Sequence, residues 1–275
     1  MNWLPIIREL SQLPPLIYGM VTAEIAPLRE TKISFGDHNR QYMLLYEPME
    51  GTVEQDVIIY FIHGGGWRVG RPERRRPLAE MYTRLGYTVV MPTYRLIPKY
   101  NFFDLEYDAR QGFQTFMQLP QAQGKRIVLM GESAGGNLAA LLLYKKEFLH
   151  DIGISHDHFA GFISMAGVLD MEGMPDNFYM RTYNGRRDSD LFFQSNPVNY
   201  LQENENIPVL IVHGTRDGLV PIHSAKKFAR KLQLIRPDLV DMHIIENGSH
   251  MSVAGGWLLE ENDIRKKVTS WIQGL

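Results

Sequence analysis

Unbroken apolar runs of five or six residues, more than alternating ones, mark the strands of this chain. Val57-Ile58-Ile59-Tyr60-Phe61-Ile62 contains no polar break, the pattern of a strand covered on both faces. Mostly apolar runs predict strands at 87–91, 126–130, 159–165 and 208–213, and Asp241-Met242-His243-Ile244-Ile245 predicts one more at 241–245. Apolar residues at helical spacing predict helices at 72–85, 104–118, 134–148, 222–235 and 257–273. Ahead of Val57, Lys32–Phe35 and Gln41–Tyr46 read as a hairpin, with Gly36-Asp37-His38-Asn39 at its bend. Strands alternating with helices predict an α/β fold: a mostly parallel sheet with helices on both faces. In such sheets ligands sit at the carboxyl ends of the strands, so the residues just after each strand carry the interest.

Two stretches stand outside the alternation. Trp3, Ile6, Ile7, Leu10 and Leu13 are helically spaced and end at Pro14-Pro15, which predicts an amphipathic helix that packs on the body or helps roof a site. Between Met165 and Pro208 the chain lacks strand character but carries Met171, Met174, Phe178, Tyr179, Met180, Tyr183, Phe192 and Phe193. An insertion of that length is a lid, a binding element or a structural excursion. Methionines and aromatics suit an adaptable apolar wall, which Trp67, Met171, Phe178 and Tyr183 are expected to offer a substrate.

Four short motifs fall at predicted strand ends. Gly131-Glu132-Ser133-Ala134-Gly135 lies between an apolar strand and an apolar helix. A Gly-x-Ser-x-Gly turn in that setting strains the serine backbone and projects its hydroxyl at a helix N-terminus, where developing negative charge is favoured. His63-Gly64-Gly65-Gly66-Trp67 follows the strand at 57–62. Consecutive glycines let backbone N–H groups converge, as an oxyanion requires; a phosphate loop would want a following lysine, and none is there. His63 is expected to brace this loop. Asp217 follows the strand at 208–213, and His250 follows the strand at 241–245 in the loop Asn247-Gly248-Ser249-His250. Ser133, Asp217 and His250 thus stand in serine–acid–histidine order. In that arrangement His250 takes the serine proton, Asp217 orients the imidazole, and the amides of Gly65, Gly66 and Ala134 hold the oxyanion.

Composition narrows the field without choosing the chemistry. At 275 residues the chain suits one large domain. Its 44% apolar and 22% charged residues are those of an ordinary globular protein. A net charge of −2 argues against nucleic acid as a general partner. The absence of cysteine excludes disulfides, thiolate catalysis and Cys-ligated zinc, and no metal is expected. No apolar run reaches the length of a membrane span, and the N-terminus lacks the layout of a signal peptide; a cytoplasmic location is the default expectation. A homodimer is left open. Arg68, Arg71, Arg74, Arg75 and Arg76 follow the glycine loop and read either as a solvated face balanced by Glu73 and Glu80 or as a positive rim attracting anionic esters.

Taken together, His63 to Trp67, Tyr94-Arg95-Leu96-Ile97-Pro98, Gly131 to Asn137, His213 to Asp217 and Gly248 to His250 resemble the hormone-sensitive-lipase-type branch of the α/β-hydrolases, near its small carboxylesterases and acetyl-esterase-like enzymes. The resemblance implies an eight-stranded sheet, no cofactor, a small-molecule ester substrate, and a cap drawn here from about 1–30 and 168–200 on a single domain of residues 1–275. Two positions depart from the pattern. Lys99 stands where the family commonly has an acidic residue, and Glu132 where it often has aspartate. The short cap favours small acyl groups. Two rivals remain at this stage: an amide-cleaving, kynurenine-formamidase-like enzyme, and a non-catalytic binding protein on the same fold.

Overall fold

The computed structural model describes residues 26–256 and 262–275, together with Ile7, Glu9, Ser11, Gln12 and Tyr18. Eight strands form one sheet: β1 Glu30–Ser34, β2 Tyr42–Tyr46, β3 Val57–Ile62, β4 Thr88–Pro92, β5 Arg126–Glu132, β6 Phe159–Met165, β7 Val209–Gly214 and β8 Val240–Ile245. Their order across the sheet is β1-β2-β4-β3-β5-β6-β7-β8. β2 pairs antiparallel with both β1 and β4, and every other pairing is parallel. This is the α/β-hydrolase arrangement.

The unbroken apolar runs have their reason in the packing. Along β3, Ile58, Tyr60 and Ile62 enter one core, while Val57, Ile59 and Phe61 enter the other. β5 divides the same way, with Ile127 and Leu129 against Val128 and Met130. A strand with period-two side chains and helices on both faces buries both sets of positions, so its sequence reads as a nearly continuous apolar run. Each aliphatic side chain so buried contributes about 1.5–3 kcal/mol.

The helices are α1 Arg76–Thr83, α2 Phe102–Met117, α3 Ala134–Tyr144, α4 Lys146–Asp151, α5 Phe178–Asn184, α6 Asp190–Gln194, α7 Ile222–Ile235, α8 His250–Ala254 and α9 Asp263–Gln273. α2 begins at a capping box formed by Asn101 and Asp104. α7 buries Ser224, Ala225, Phe228, Ala229 and Leu232 along one face, the spacing of an amphipathic surface helix. α3 is buried at every residue, so its sequence shows no polar face.

Three expectations need correction. The helix at 134–148 is two helices, broken at Lys145 (φ −81°, ψ 76°), whose ammonium lies 2.6 Å from Glu106. No glycine or proline marks that break. The segment at 72–85 opens with a 3₁₀ turn, Pro72–Arg75, before α1. α8 lay unforeseen inside the loop that carries His250. The N-terminal helix reading falls largely outside the described residues, although Ile7, Glu9, Ser11 and Gln12 are helical; the start of the helix at 257–273 lies outside them too. Between β6 and β7 the chain forms short helical pieces, with Asn177 capping α5 and Ser189 capping α6.

Candidate active site

β5 ends at Glu132, and α3 begins immediately after Ser133. The serine carries φ 53°, ψ −119°, a conformation costing about 1–3 kcal/mol for a residue with a Cβ. The turn holds because its amide donates to the Met165 carbonyl at 2.9 Å, while its own carbonyl accepts from Gly136 at 3.0 Å. The flanking glycines answer a close approach. A Cβ on Gly131 would lie 2.5 Å from the Gly135 carbonyl oxygen, and one on Gly135 would lie 2.1 Å from that of Ile62.

Two other strand ends bring the remaining groups to this point. The His250 Nε2 lies 2.9 Å from Ser133 Oγ, and its Nδ1 lies 2.8 Å from Asp217 Oδ2. A carboxylate only accepts, so Nδ1 carries the proton and Nε2 is left to accept from the serine hydroxyl. The Asp217 side chain is fully buried, and its second oxygen accepts from the amides of Leu219 (2.9 Å) and Val220 (2.7 Å). Burial pushes its pKa up, but the charge and hydrogen bond of His250, with His213 and the Val220 amide, outweigh burial and hold it below the usual carboxylate value. For His250 the balance has the opposite sense. Burial lowers its pKa, and the charge and hydrogen bond of Asp217, aided by Glu9 and Glu132, raise it above the ordinary imidazole value.

The glycine loop after β3 abuts the serine: a Cβ built on Gly64 would lie 3.1 Å from that of Ser133. Gly65 (φ 125°) and Gly66 (φ 56°) take backbone angles that side chains resist. The amides of Arg68 and Val69 fold back onto the Gly65 carbonyl. Among the described residues, the amides of Gly65, Gly66 and Ala134 donate to no protein acceptor. His63 Nδ1 donates to the Gly64 carbonyl at 2.8 Å, its Nε2 meets the Thr93 hydroxyl at 3.0 Å, and its ring stacks on Tyr94. Burial drives the His63 pKa down to about 3, so it stands as a neutral brace.

The apolar wall is divided by the structure. Trp67 is buried and stacks on Tyr183 with ring centroids 4.0 Å apart. Tyr183, also buried, donates to Asn137 Oδ1 at 2.6 Å, and Asn137 in turn donates to the carbonyls of Val168 and Ser195. Met171 is buried as well, whereas Phe178 is 82% exposed. Trp67, Met171 and Tyr183 therefore offer no open surface to a ligand, because they spend their area on one another and on the core.

The arginine cluster also divides. Arg75 turns inward and binds both carboxylate oxygens of Glu132, at 2.9 and 2.6 Å, neither a solvated face nor a rim. Arg76 pairs with Glu30, and Arg68 lies over the Tyr179 ring at 5.0 Å. Glu73 and Glu80, read as balancing charges, accept from Tyr42 and pair with Arg84.

Two contacts escaped the sequence reading. The Tyr179 hydroxyl donates to the Gly66 carbonyl, tying α5 to the glycine loop. The Glu9 carboxylate, fully buried, accepts from the amides of Gly218, His250 and Met251 at 2.9, 2.8 and 3.1 Å. Tyr179 stood in the aromatic list without a role, and Glu9 had no signal beyond an acidic residue in an apolar helix.

Residues 43–232 match the BD-FAE family, well over half of the chain. A probable isoprenylcysteine α-carbonyl methylesterase of Arabidopsis thaliana is 23% identical over 229 residues, 76% of this chain and 48% of that protein. Arylacetamide deacetylase of Oryctolagus cuniculus is 31% identical over 151 residues, 51% of this chain and 35% of its own length. The chain thus spans about half the length, or less, of the curated relatives it matches. Esterase B of Lactobacillus rhamnosis superposes with a TM-score of 0.75 at 18% identity, covering 98% of this chain and 92% of that one. An esterase of Pyrobaculum calidifontis gives 0.70 at 20% identity, covering 100% and 92%. The sheet order, the strained serine turn and the match over 43–232 agree: the chain belongs to the BD-FAE family and has an α/β-hydrolase fold.

Proposed function

We propose that this chain is a serine hydrolase that cleaves short-chain carboxylic esters through an acyl-enzyme. The carrying observation is the relay Ser133–His250–Asp217, hydrogen-bonded at 2.9 and 2.8 Å across three strand ends. Ester-cleaving activities in the names of the methylesterase and of the two superposed esterases accord with this reading.

The steps follow from the groups present. Ser133 Oγ attacks the ester carbonyl carbon as its proton passes to His250 Nε2. The carbonyl oxygen becomes an oxyanion, which the unengaged amides of Gly65, Gly66 and Ala134 receive; each such donor is worth about 2.7–4 kcal/mol in the transition state. Asp217 stabilises the imidazolium without taking its proton. The imidazolium then protonates the departing alcohol oxygen. Water, deprotonated by the same imidazole, attacks the acyl-enzyme, and His250 returns a proton to Ser133 as the acid leaves. Of the four residues expected to line a substrate wall, Phe178 alone is exposed; Trp67, Met171 and Tyr183 are buried. The β6–β7 insertion is taken here as a short cap, with Glu9 and Gln12 of the N-terminal segment beside the His250 loop, and a short cap favours small acyl groups. A formamide-cleaving reading shares this triad and has no observation of its own.

A fluorophosphonate probe followed by peptide mass mapping tests the assignment. Stoichiometric labelling at Ser133, lost in His250→Ala, is expected; an unlabelled Ser133 in folded protein would refute it.

A further inference from the structure

Asp217 and His250 stand on separate loops, after β7 and β8, and a catalytic relay needs those loops held in register. β7 and β8 pair as far as Gly214 and Ile245, and beyond them the Arg216 amide bonds to Gly248 at 2.9 Å. Past that point the bridge is made by a residue from the other end of the chain. Glu9 Oε1 accepts from both Gly218, the neighbour of Asp217, and His250 itself, while Oε2 accepts from Met251. One oxygen thereby sets the spacing between the acid loop and the base loop. Gln12 adds a second hold on the His250 loop alone, its Oε1 accepting from the Ser249 hydroxyl at 2.7 Å.

Helix capping explains only part of Glu9: it takes the first two amides of α8, those of His250 and Met251, but the Gly218 amide it also holds lies outside the helix. Ser249 caps the Ser252 amide in a capping box, and the bond to Gly218 is the one that joins the two loops. Three N–H donors satisfy a carboxylate buried away from water, and charge-assisted bonds of this kind are short and directional.

We propose that Glu9 is a positioning residue for the hydrolytic relay, through which the N-terminal segment locks the Asp217 and His250 loops in catalytic register. This rests on the triad reading above. Glu9 bonds to backbone amides, so it sets where His250 stands, and its charge adds to the field that raises the His250 pKa. The charged and titratable groups facing the His250 side are Asp217, Glu132 (held by Arg75), Glu9 and, across Asp217, His213. Removing the Glu9 charge leaves the others in place.

The test compares wild type, Glu9→Gln and Glu9→Asp on p-nitrophenyl acetate, with folding checked by circular dichroism. Both variants are expected to lose kcat by about tenfold, the scale of a charged hydrogen bond, with KM held within about twofold. The acid limb of kcat/KM should move to lower pH in Glu9→Gln, which loses the charge, and stay in Glu9→Asp, which keeps it. Unchanged kcat in folded Glu9→Gln, a kcat loss without that difference in the acid limbs, or failure of both variants to fold would each overturn the proposal. Failure of the triad reading would show separately, as ester hydrolysis retained in Ser133→Ala.

Discussion

Glu132, the residue before the serine, is gripped through both carboxylate oxygens by Arg75, 57 positions earlier in the chain. Both side chains are nearly out of solvent, 11% exposed for Arg75 and 5% for Glu132. The pair ties the segment after the glycine loop to the strained turn at Ser133, so two parts of the candidate site share one ion pair.

Removing one partner leaves an uncompensated buried charge. Arg75→Met should destabilise the protein by about 3–5 kcal/mol in urea unfolding. A loss below about 1 kcal/mol would place the pair among surface bridges in its effect.

Asp217 sets both the tautomer and the charge around His250. Asp217→Asn should lower kcat by on the order of 10⁴ through the wrong tautomer. Because Asp217 raises the His250 pKa, and because only neutral His250 accepts the serine proton, wild-type activity should fall as pH drops through a value above the ordinary imidazole pKa of about 6.5. In Asp217→Asn the residual activity should persist to lower pH. An acid limb in the same place for both proteins would contradict the electrostatic role given to Asp217.

Tyr179 offers a milder test. Tyr179→Phe keeps the ring under Arg68 and removes the hydroxyl that donates to Gly66. Loss of one such bond, about 1 kcal/mol, should cut kcat about fivefold with little change in thermal unfolding. Full activity would mean the glycine loop holds its shape without α5.

Gly135 is constrained by backbone, not by flexible side chains. An added Cβ would lie 2.1 Å from the Ile62 oxygen and 2.5 Å from that of His63. Gly135→Ala should destabilise by at least about 1–3 kcal/mol, the cost of overpacking, and reduce activity by pushing α3 off the glycine loop. Wild-type stability in that variant would contradict the close packing.

The sheet was readable because burial on both faces leaves an unmistakable pattern: β3 came out at the residues its apolar run marks, and β6 likewise. The serine turn, the glycine loop, Asp217 and His250 were readable because each follows a strand end, where the fold gathers ligand-facing groups. What stayed hidden depends on contacts far apart in sequence. Glu9 meets partners 209 to 242 positions away, and Arg75 looks like its exposed arginine neighbours. Trp67, Met171 and Tyr183 were read as a wall because composition shows that a side chain is apolar, not whether its area goes to a ligand or to Asn137, Tyr183 and the core behind it. At the Lys145 break no local glycine or proline gives a signal, and the Lys145 ammonium meets Glu106, distant in sequence.

Steady-state hydrolysis of p-nitrophenyl acetate by Ser133→Ala, with its fold verified by circular dichroism, addresses the central claim most directly. Turnover reduced to the buffer rate is the predicted result; turnover within tenfold of wild type would contradict the assignment of Ser133 as nucleophile.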